Sequence, residues 1–107
     1  MNYNLIITPT FEREIKPLLK KHKSLKNDLV NLFNSLEINP KQGKSLGKDC
    51  YKIRMAISSK GKGKSGGARV ITCVRVTAEK IYLISIYDKS DKEDISDKEL
   101  NELLRLI

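Results

Sequence analysis

The spacing of apolar positions divides the chain into a strand, two helices, three strands and a final helix. Tyr3 to Thr8 reads YNLIIT, apolar and β-branched enough for an opening strand, and Pro9 ends it. Phe11, Ile15, Leu18 and Leu19 then recur at spacings of four, three and one, which puts them on one helical face. Thr8 or Thr10 can cap that helix, and Pro9 suits its first position. A second stripe, Leu25, Leu29, Leu32, Phe33 and Leu36, follows Ser24 as a cap and stops at Asn39-Pro40.

Beyond a loop from Gln42 to Asp49 the period changes to two. Tyr51, Ile53 and Met55 alternate with Lys52, Arg54 and Ala56. From Ala68 to Val76, Val70, Thr72, Val74 and Val76 oppose Arg69, Ile71, Cys73 and Arg75. Strict alternation in Ile81 to Tyr87 sets Tyr82, Ile84 and Ile86 against Ile81, Leu83, Ser85 and Tyr87. The break at Thr77 to Lys80 has hairpin length, so these strands form an antiparallel meander. Asp88 to Asp94 is a charged loop, and Ser96 with Glu99 makes a capping box ahead of Leu100, Leu103, Leu104 and Ile107. The expected class is α+β: two helices on one face of the sheet, with the C-terminal helix closing an edge.

With 107 residues, the chain has the length of one small domain with one modest core. No stretch approaches the ~20 apolar residues of a membrane span. The opening MNYNLIITP has neither the basic start nor the apolar core of a secretory signal, so a cytoplasmic location is expected. Cys50 and Cys73, both inside strands, then read as small buried residues, and with one histidine in the chain no zinc site is expected. That histidine, His22, sits among lysines between the two helices and reads as a solvated linker residue.

Charge changes the picture, because it is local. Between Lys41 and Arg75 there are ten basic residues against Asp49 alone, although the whole chain carries only +8. The first 40 residues are nearly balanced and the last 32 are acidic overall. A polyanion is the natural partner of such a segment.

The loop Gly61-Lys62-Gly63-Lys64-Ser65-Gly66 matches two nucleotide-binding patterns superficially. A dinucleotide fingerprint must lead into a helix, whereas this loop leads into the strand ARVITCVRV. A phosphate-binding loop ending in Gly63-Lys64-Ser65 needs glycine where Ser58 stands. No cofactor is therefore expected. A solvated loop would account for the lysines alone; a flexible hairpin tip bringing Lys60, Lys62 and Lys64 to a phosphate backbone is the alternative.

Convergence favours that alternative. By strand parity Lys52, Arg54, Arg69 and Tyr87 share the face away from the first two helices, with Lys89 just beyond. Such a face can clamp phosphate with arginine and stack a base on tyrosine. It can also do chemistry, since RNA carries its own nucleophile in the 2′-hydroxyl and needs only in-line orientation and charge stabilisation, without a metal. Repulsion within a lysine cluster favours the neutral amine, which makes Lys62 and Lys64 candidates for general acid or base.

The run YKIRMAISSKGKGKSGGARVI, followed by IYLISIYDKSDKEDIS, resembles the RelE/HigB toxins of bacterial type II toxin–antitoxin systems, most nearly the HigB-like branch. The segments carrying the likeness are K-I-R, G-K-G-K-x-G-G-x-R and I-Y-x-K. TPTFEREIKPLLKKHKSL and the NP after the second helix extend it to nearly the whole chain. The resemblance implies the RelE-like fold and one toxin domain over residues 1–107. It also implies a metal-independent endonuclease that cuts mRNA in the ribosomal A site and is neutralised by a cognate antitoxin, a small helix-turn-helix protein. Arg54, Lys62, Lys64, Arg69, Tyr87 and Lys89 are then the catalytic candidates. Lys44, Lys48, Lys52, Lys60 and Arg75 are candidate contacts to RNA or ribosome. RelE proper stacks the substrate base on a tyrosine near the start of its last helix. Here that region reads Asp94-Ile95-Ser96, which leaves Tyr87 as the substitute.

Two other functions would use the same scaffold. A toxin of the related ParE type would act on DNA gyrase without cutting RNA, and a noncatalytic RNA-binding protein would keep the charge pattern. The cluster of Arg54, Lys62, Lys64, Arg69 and Lys89 argues for the nuclease.

Overall fold

The structure is a computed structural model that describes residues 3–107. Met1 and Asn2, where the reading of a leader-free N-terminus begins, lie outside the described residues. The element order is β1 (Asn4–Ile7), α1 (Pro9–Lys21), α2 (Leu25–Ile38), β2 (Lys44–Gly47), β3 (Cys50–Met55), β4 (Ala68–Arg75), β5 (Lys80–Asp88) and α3 (Asp97–Leu104). Two single-turn helical segments, Ser58–Lys60 and Lys64–Gly66, lie between β3 and β4. One five-stranded sheet runs in the order β1-β5-β4-β3-β2. β2 to β5 form an antiparallel meander, and β1 adds to β5 in parallel.

β2 is an addition to the expected meander, hidden in what reads as a loop. It pairs with β3 around a turn whose two central residues, Lys48 and Asp49, have φ of 55° and 61°. A hairpin of this kind normally signals itself with Asn-Gly, whose backbones enter the left-handed region easily. Lys-Asp gives no such signal.

The two helices lie where expected. Thr8 caps α1 by accepting from the Phe11 N–H at 3.3 Å, with Pro9 in the first turn. Ser24 precedes α2 but does not cap it with its side chain. Its hydroxyl donates to Asp28 at 2.8 Å and accepts from the Ser59 N–H at 2.8 Å. Phe11, Leu18, Leu25, Leu29, Leu32 and Leu36 pack with Ile53, Met55, Val70, Val74, Ile81, Leu83 and Ile86 in the larger core cluster. Burial of this helical stripe on the sheet is the main favourable contribution to the fold.

The last helix does not close an edge. Its capping box forms as expected, but Leu100, Leu103 and Leu104 pack on Cys50, Ile71, Cys73, Ile84 and Tyr87, the face of the sheet opposite α1 and α2. The reason lies in strand composition. β4 is buried on both faces apart from Arg75, and a strand with apolar residues on both faces must be covered twice.

β5 departs from strict alternation. Ile71 pairs with Ser85 but Thr72 pairs with Leu83, so Ile84 is an extra residue, a β-bulge. Ile81, Leu83 and Ile86 consequently face α1 and α2, while Tyr82, Ile84 and Tyr87 face α3. β1 ends opposite Leu83, and Glu14 of α1 serves the strand beyond that point. Its carboxylate accepts from the Ser85 hydroxyl at 2.8 Å and the Ile86 N–H at 3.3 Å.

Candidate functional site

The unequal length of the layers makes the site. α3 and the segment before it cover only part of the second face, leaving a concavity of about 850 Å³ against β3 and β4. Gln42, Gly43, Lys44, Lys52, Ile53, Arg54, Lys64, Arg69, Lys89, Glu93 and Asp94 line it, six cations against two carboxylates.

Two arginines form its floor. Arg54 and Arg69 are Cα partners on neighbouring strands, and Tyr87 follows Arg69 in the same row. Arg54 is exposed whereas Arg69 is 4% exposed. Arg69 Nη1 donates to the carbonyls of Lys64 at 2.8 Å and Ala68 at 3.2 Å. A guanidinium has five N–H groups; Nε and Nη2 have no hydrogen-bond partner among the described residues, and the two carbonyls fix the orientation of the group.

The loop from Ala56 to Gly67 is anchored rather than a free tip. Asp28 of α2 accepts from Ser58 N at 2.9 Å and Ser58 Oγ at 2.5 Å. Burial works to raise the Asp28 pKa, but the hydrogen bonds from Ser58 and Ser24 outweigh it and hold the carboxyl below its usual value. At the other end Gly67 passes so close to β3 that a Cβ there would lie 2.0 Å from the Met55 carbonyl oxygen. In the middle, Lys60 turns inward. Its ammonium lies 2.7 Å from Asp88 Oδ1, and the lysine side chain is 13% exposed.

Asp88 draws in a further residue. Its Oδ2 lies 2.9 Å from His22 Nε2, and His22 and Asp88 are 6% and 1% exposed. His22 is therefore not the solvated linker residue that its lysine-rich surroundings imply. Its imidazole is buried against a carboxylate contributed by the end of β5, 66 residues away. Desolvation acts to raise the Asp88 pKa, yet the hydrogen bonds from Lys60, the Ser90 backbone and His22 pull it well below the usual carboxylate range.

The acidic stretch before α3 reaches over the cations. Asp94 pairs with Lys52 at 2.9 Å, and Lys89 donates to the Glu93 carbonyl at 3.1 Å, with its carboxylate 3.9 Å away. The Lys52 bond, joined by the Ile95 N–H, lowers the Asp94 pKa. Lys92 stands 5.4 Å over the Tyr87 ring and pairs with Glu99. Tyr87 is thus covered, 6% exposed, and its buried hydroxyl has no hydrogen-bond partner among the described residues. Burial, reinforced by Asp94, pushes its pKa up to about 12, which leaves the phenol neutral at physiological pH.

Of the catalytic candidates, Arg54, Lys64, Arg69 and Lys89 line the concavity. Tyr87 lies beneath the segment before α3, and Lys62 is exposed outside the lining with its stem against Gly66. Lys44 and Lys52 line the concavity too. Lys48 instead meets Asn101 of α3, Arg75 lies at the far end of β4 opposite Lys80, and Lys60 points into the protein. Glu93 and Asp94 are site residues that the sequence did not single out; the only signal was their position just after Lys89 and Lys92. Among the described residues no three His, Cys, Asp or Glu side chains gather as a metal-holding group.

Solved structures share this fold. The free E. coli toxin RelE, as a double arginine-to-alanine mutant, matches with a TM-score of 0.64 and 21% identity, over 100% of this chain and 99% of that one. A chain of the intact E. coli RelBE toxin–antitoxin complex matches with a TM-score of 0.50 and 23% identity, over 80% of this chain and 95% of that one. At these identities the likeness is one of fold. The family described as the RelE toxin of the RelE/RelB toxin–antitoxin system matches residues 8–106. With nearly the whole chain matched by the family and the fold shared with a solved RelE structure, the chain belongs to the RelE toxin family.

Proposed function

We propose that the protein is a ribosome-dependent mRNA endonuclease of the HigB-like branch, cutting by attack of the RNA 2′-hydroxyl on the adjacent phosphate. The observation that carries this reading is the pair Arg54 and Arg69, held side by side on the concavity floor with Lys52, Lys64 and Lys89 around them. A phosphodiester seated there meets two planar donors suited to bidentate contact. The negative charge that builds up as the 2′-oxygen attacks strengthens both contacts, so they favour the transition state over the ground state. In-line orientation supplies the rest. Lys64 and Lys89 stand at the rim and are the acid–base candidates on either side of the phosphate. The neutral phenol of Tyr87 can donate a hydrogen bond to RNA once the segment over it moves aside.

An antitoxin is the expected protein partner. A RelE toxin is found in complex in the RelBE structure, and an acidic or amphipathic segment that covers the concavity or displaces α3 would block the phosphate contacts here.

The test is single-turnover cleavage of mRNA on programmed ribosomes, with the cut ends mapped. Attack by the RNA's own hydroxyl leaves a 2′,3′-cyclic phosphate and a 5′-hydroxyl. Intact messages together with inhibited gyrase would overturn the reading in favour of a ParE-type toxin.

A further inference from the structure

An ammonium group has three N–H donors, and Lys60 spends all of them inside the protein. Nζ donates to Asp88 Oδ1 at 2.7 Å, to the Gly66 carbonyl at 2.9 Å and to Ser90 Oγ at 2.9 Å. No donor is left for phosphate, although the residue belongs to the lysine-rich loop that faces RNA in the reading above. The bond to Gly66 crosses the loop and closes it. Two glycines inside the closed segment, Gly61 and Gly63, have φ of 69° and 64°, and a segment so rich in glycine loses much conformational entropy when ordered.

The bonds continue in both directions from this point. Asp88 holds His22 of the α1–α2 turn at 2.9 Å and accepts from its own Ser90 N–H at 2.9 Å. Lys89, the next residue, donates its N–H to the Gly67 carbonyl at 2.9 Å. On the loop side, the Lys64 carbonyl receives Arg69 Nη1 at 2.8 Å. One buried carboxylate therefore connects the helix pair, the glycine loop and the start of the turn that carries Lys89.

We infer that Lys60 is a positioning residue: anchored by Asp88 and His22, its ammonium fixes the glycine loop so that Lys64 and Arg69 face the concavity. The inference rests on the endonuclease reading for its kinetic consequence, but not for its structural one. A merely RNA-binding lysine would change how tightly RNA is held. A positioning lysine changes how fast bound RNA is cut, because displacing a catalytic group by about 1 Å can cost about 10²-fold.

Single-turnover cleavage on programmed ribosomes is measured for the wild type, Lys60→Met and Lys60→Arg, together with amide hydrogen exchange of residues 61–67. The expected result for Lys60→Met is a rate constant at saturation lower by about 10- to 100-fold. Half-saturation should stay unchanged, exchange in the loop should be faster, and Lys60→Arg should recover most of the rate. Lys60→Met takes the lysine partner from the buried Asp88 carboxylate and so threatens folding, so the double variant Lys60→Met with Asp88→Asn, which removes both charges of that pair, is measured alongside it. A shift in half-saturation with the rate constant intact, or wild-type kinetics in Lys60→Met or in the double variant, overturns the inference. If the wild type itself leaves messages whole, the endonuclease reading falls, while loop exchange, which needs no RNA, still decides whether Lys60 holds the loop.

Discussion

Arg54 and Arg69 stand directly opposite each other across the β3–β4 ladder. Like charges placed this way destabilise a sheet by a fraction of a kcal/mol to about 1 kcal/mol. Arg54→Gln, which keeps the stem and removes the charge, is expected to leave the melting temperature equal or slightly higher. Cleavage should fall about 10²-fold or more, as on removing a transition-state donor. Thermal melts and single-turnover rates on the same preparation check the two effects together. A loss of both stability and activity would mean that Arg54 holds the sheet instead of the phosphate.

Asp94 pairs with Lys52 and lines the concavity with it, so under the proposed function its carboxylate competes with phosphate for that cation. Asp94→Asn removes that competition. Half-saturation by RNA is expected to shift several-fold towards tighter binding, and the dependence on salt should steepen because one more cation is free to release counterions. Titration of a short RNA at several salt concentrations measures both.

Asp88 connects pH to stability. Its folded pKa lies below the unfolded carboxylate value of about 3.9, so its contribution is complete above that value and is lost as pH falls from there towards the folded pKa. Asp88→Asn is expected to be less stable than wild type at neutral pH, and its stability should fall less steeply below about pH 4. Denaturant melts over an acid pH series decide this.

Gly67 has a backbone neighbour where a side chain would begin, the Met55 carbonyl oxygen at 2.0 Å from an added Cβ. Backbone cannot rotate away as a side chain can, so Gly67→Ala must push β4 from β3. A loss of about 3 kcal/mol or more in denaturant unfolding is expected.

The β2–β3 turn holds Lys48 and Asp49 in the left-handed region. Replacing them by Asn and Gly, through Lys48→Asn with Asp49→Gly, relieves that strain and should raise stability by about 1 kcal/mol. Urea unfolding of the double variant checks it.

The order of elements was legible because it rests on local rules. Leucine stripes at helical spacing, Pro9 after Thr8, Asn39-Pro40 after Leu36 and the Ser96–Glu99 box act within a few residues, and each element they mark is found. The strand alternation that set Lys52 and Arg54 apart from Ile53 and Met55 is local in the same sense. It was enough to bring Arg54 and Arg69 to one face, and the likeness to RelE toxins followed from the same residues.

What tertiary structure decided depends on partners far away in the chain. Counting by twos puts Tyr87 on one face with Ile81 and Leu83, and only the bulge at Ile84 parts them, sending Ile81 and Leu83 to the helix pair while Tyr87 stays with Arg69. β2 exists because β3 offers it a ladder, in spite of a turn sequence that argues against it. The last helix covers a face because β4 has apolar residues on both sides. His22 and Lys60 look solvated beside their charged neighbours, yet the first is buried and the second half-buried, because Asp88, a carboxylate placed by β5, compensates their polarity. Periodicity records which way a side chain points from its own backbone; which distant group it meets there is set only when the sheet is assembled.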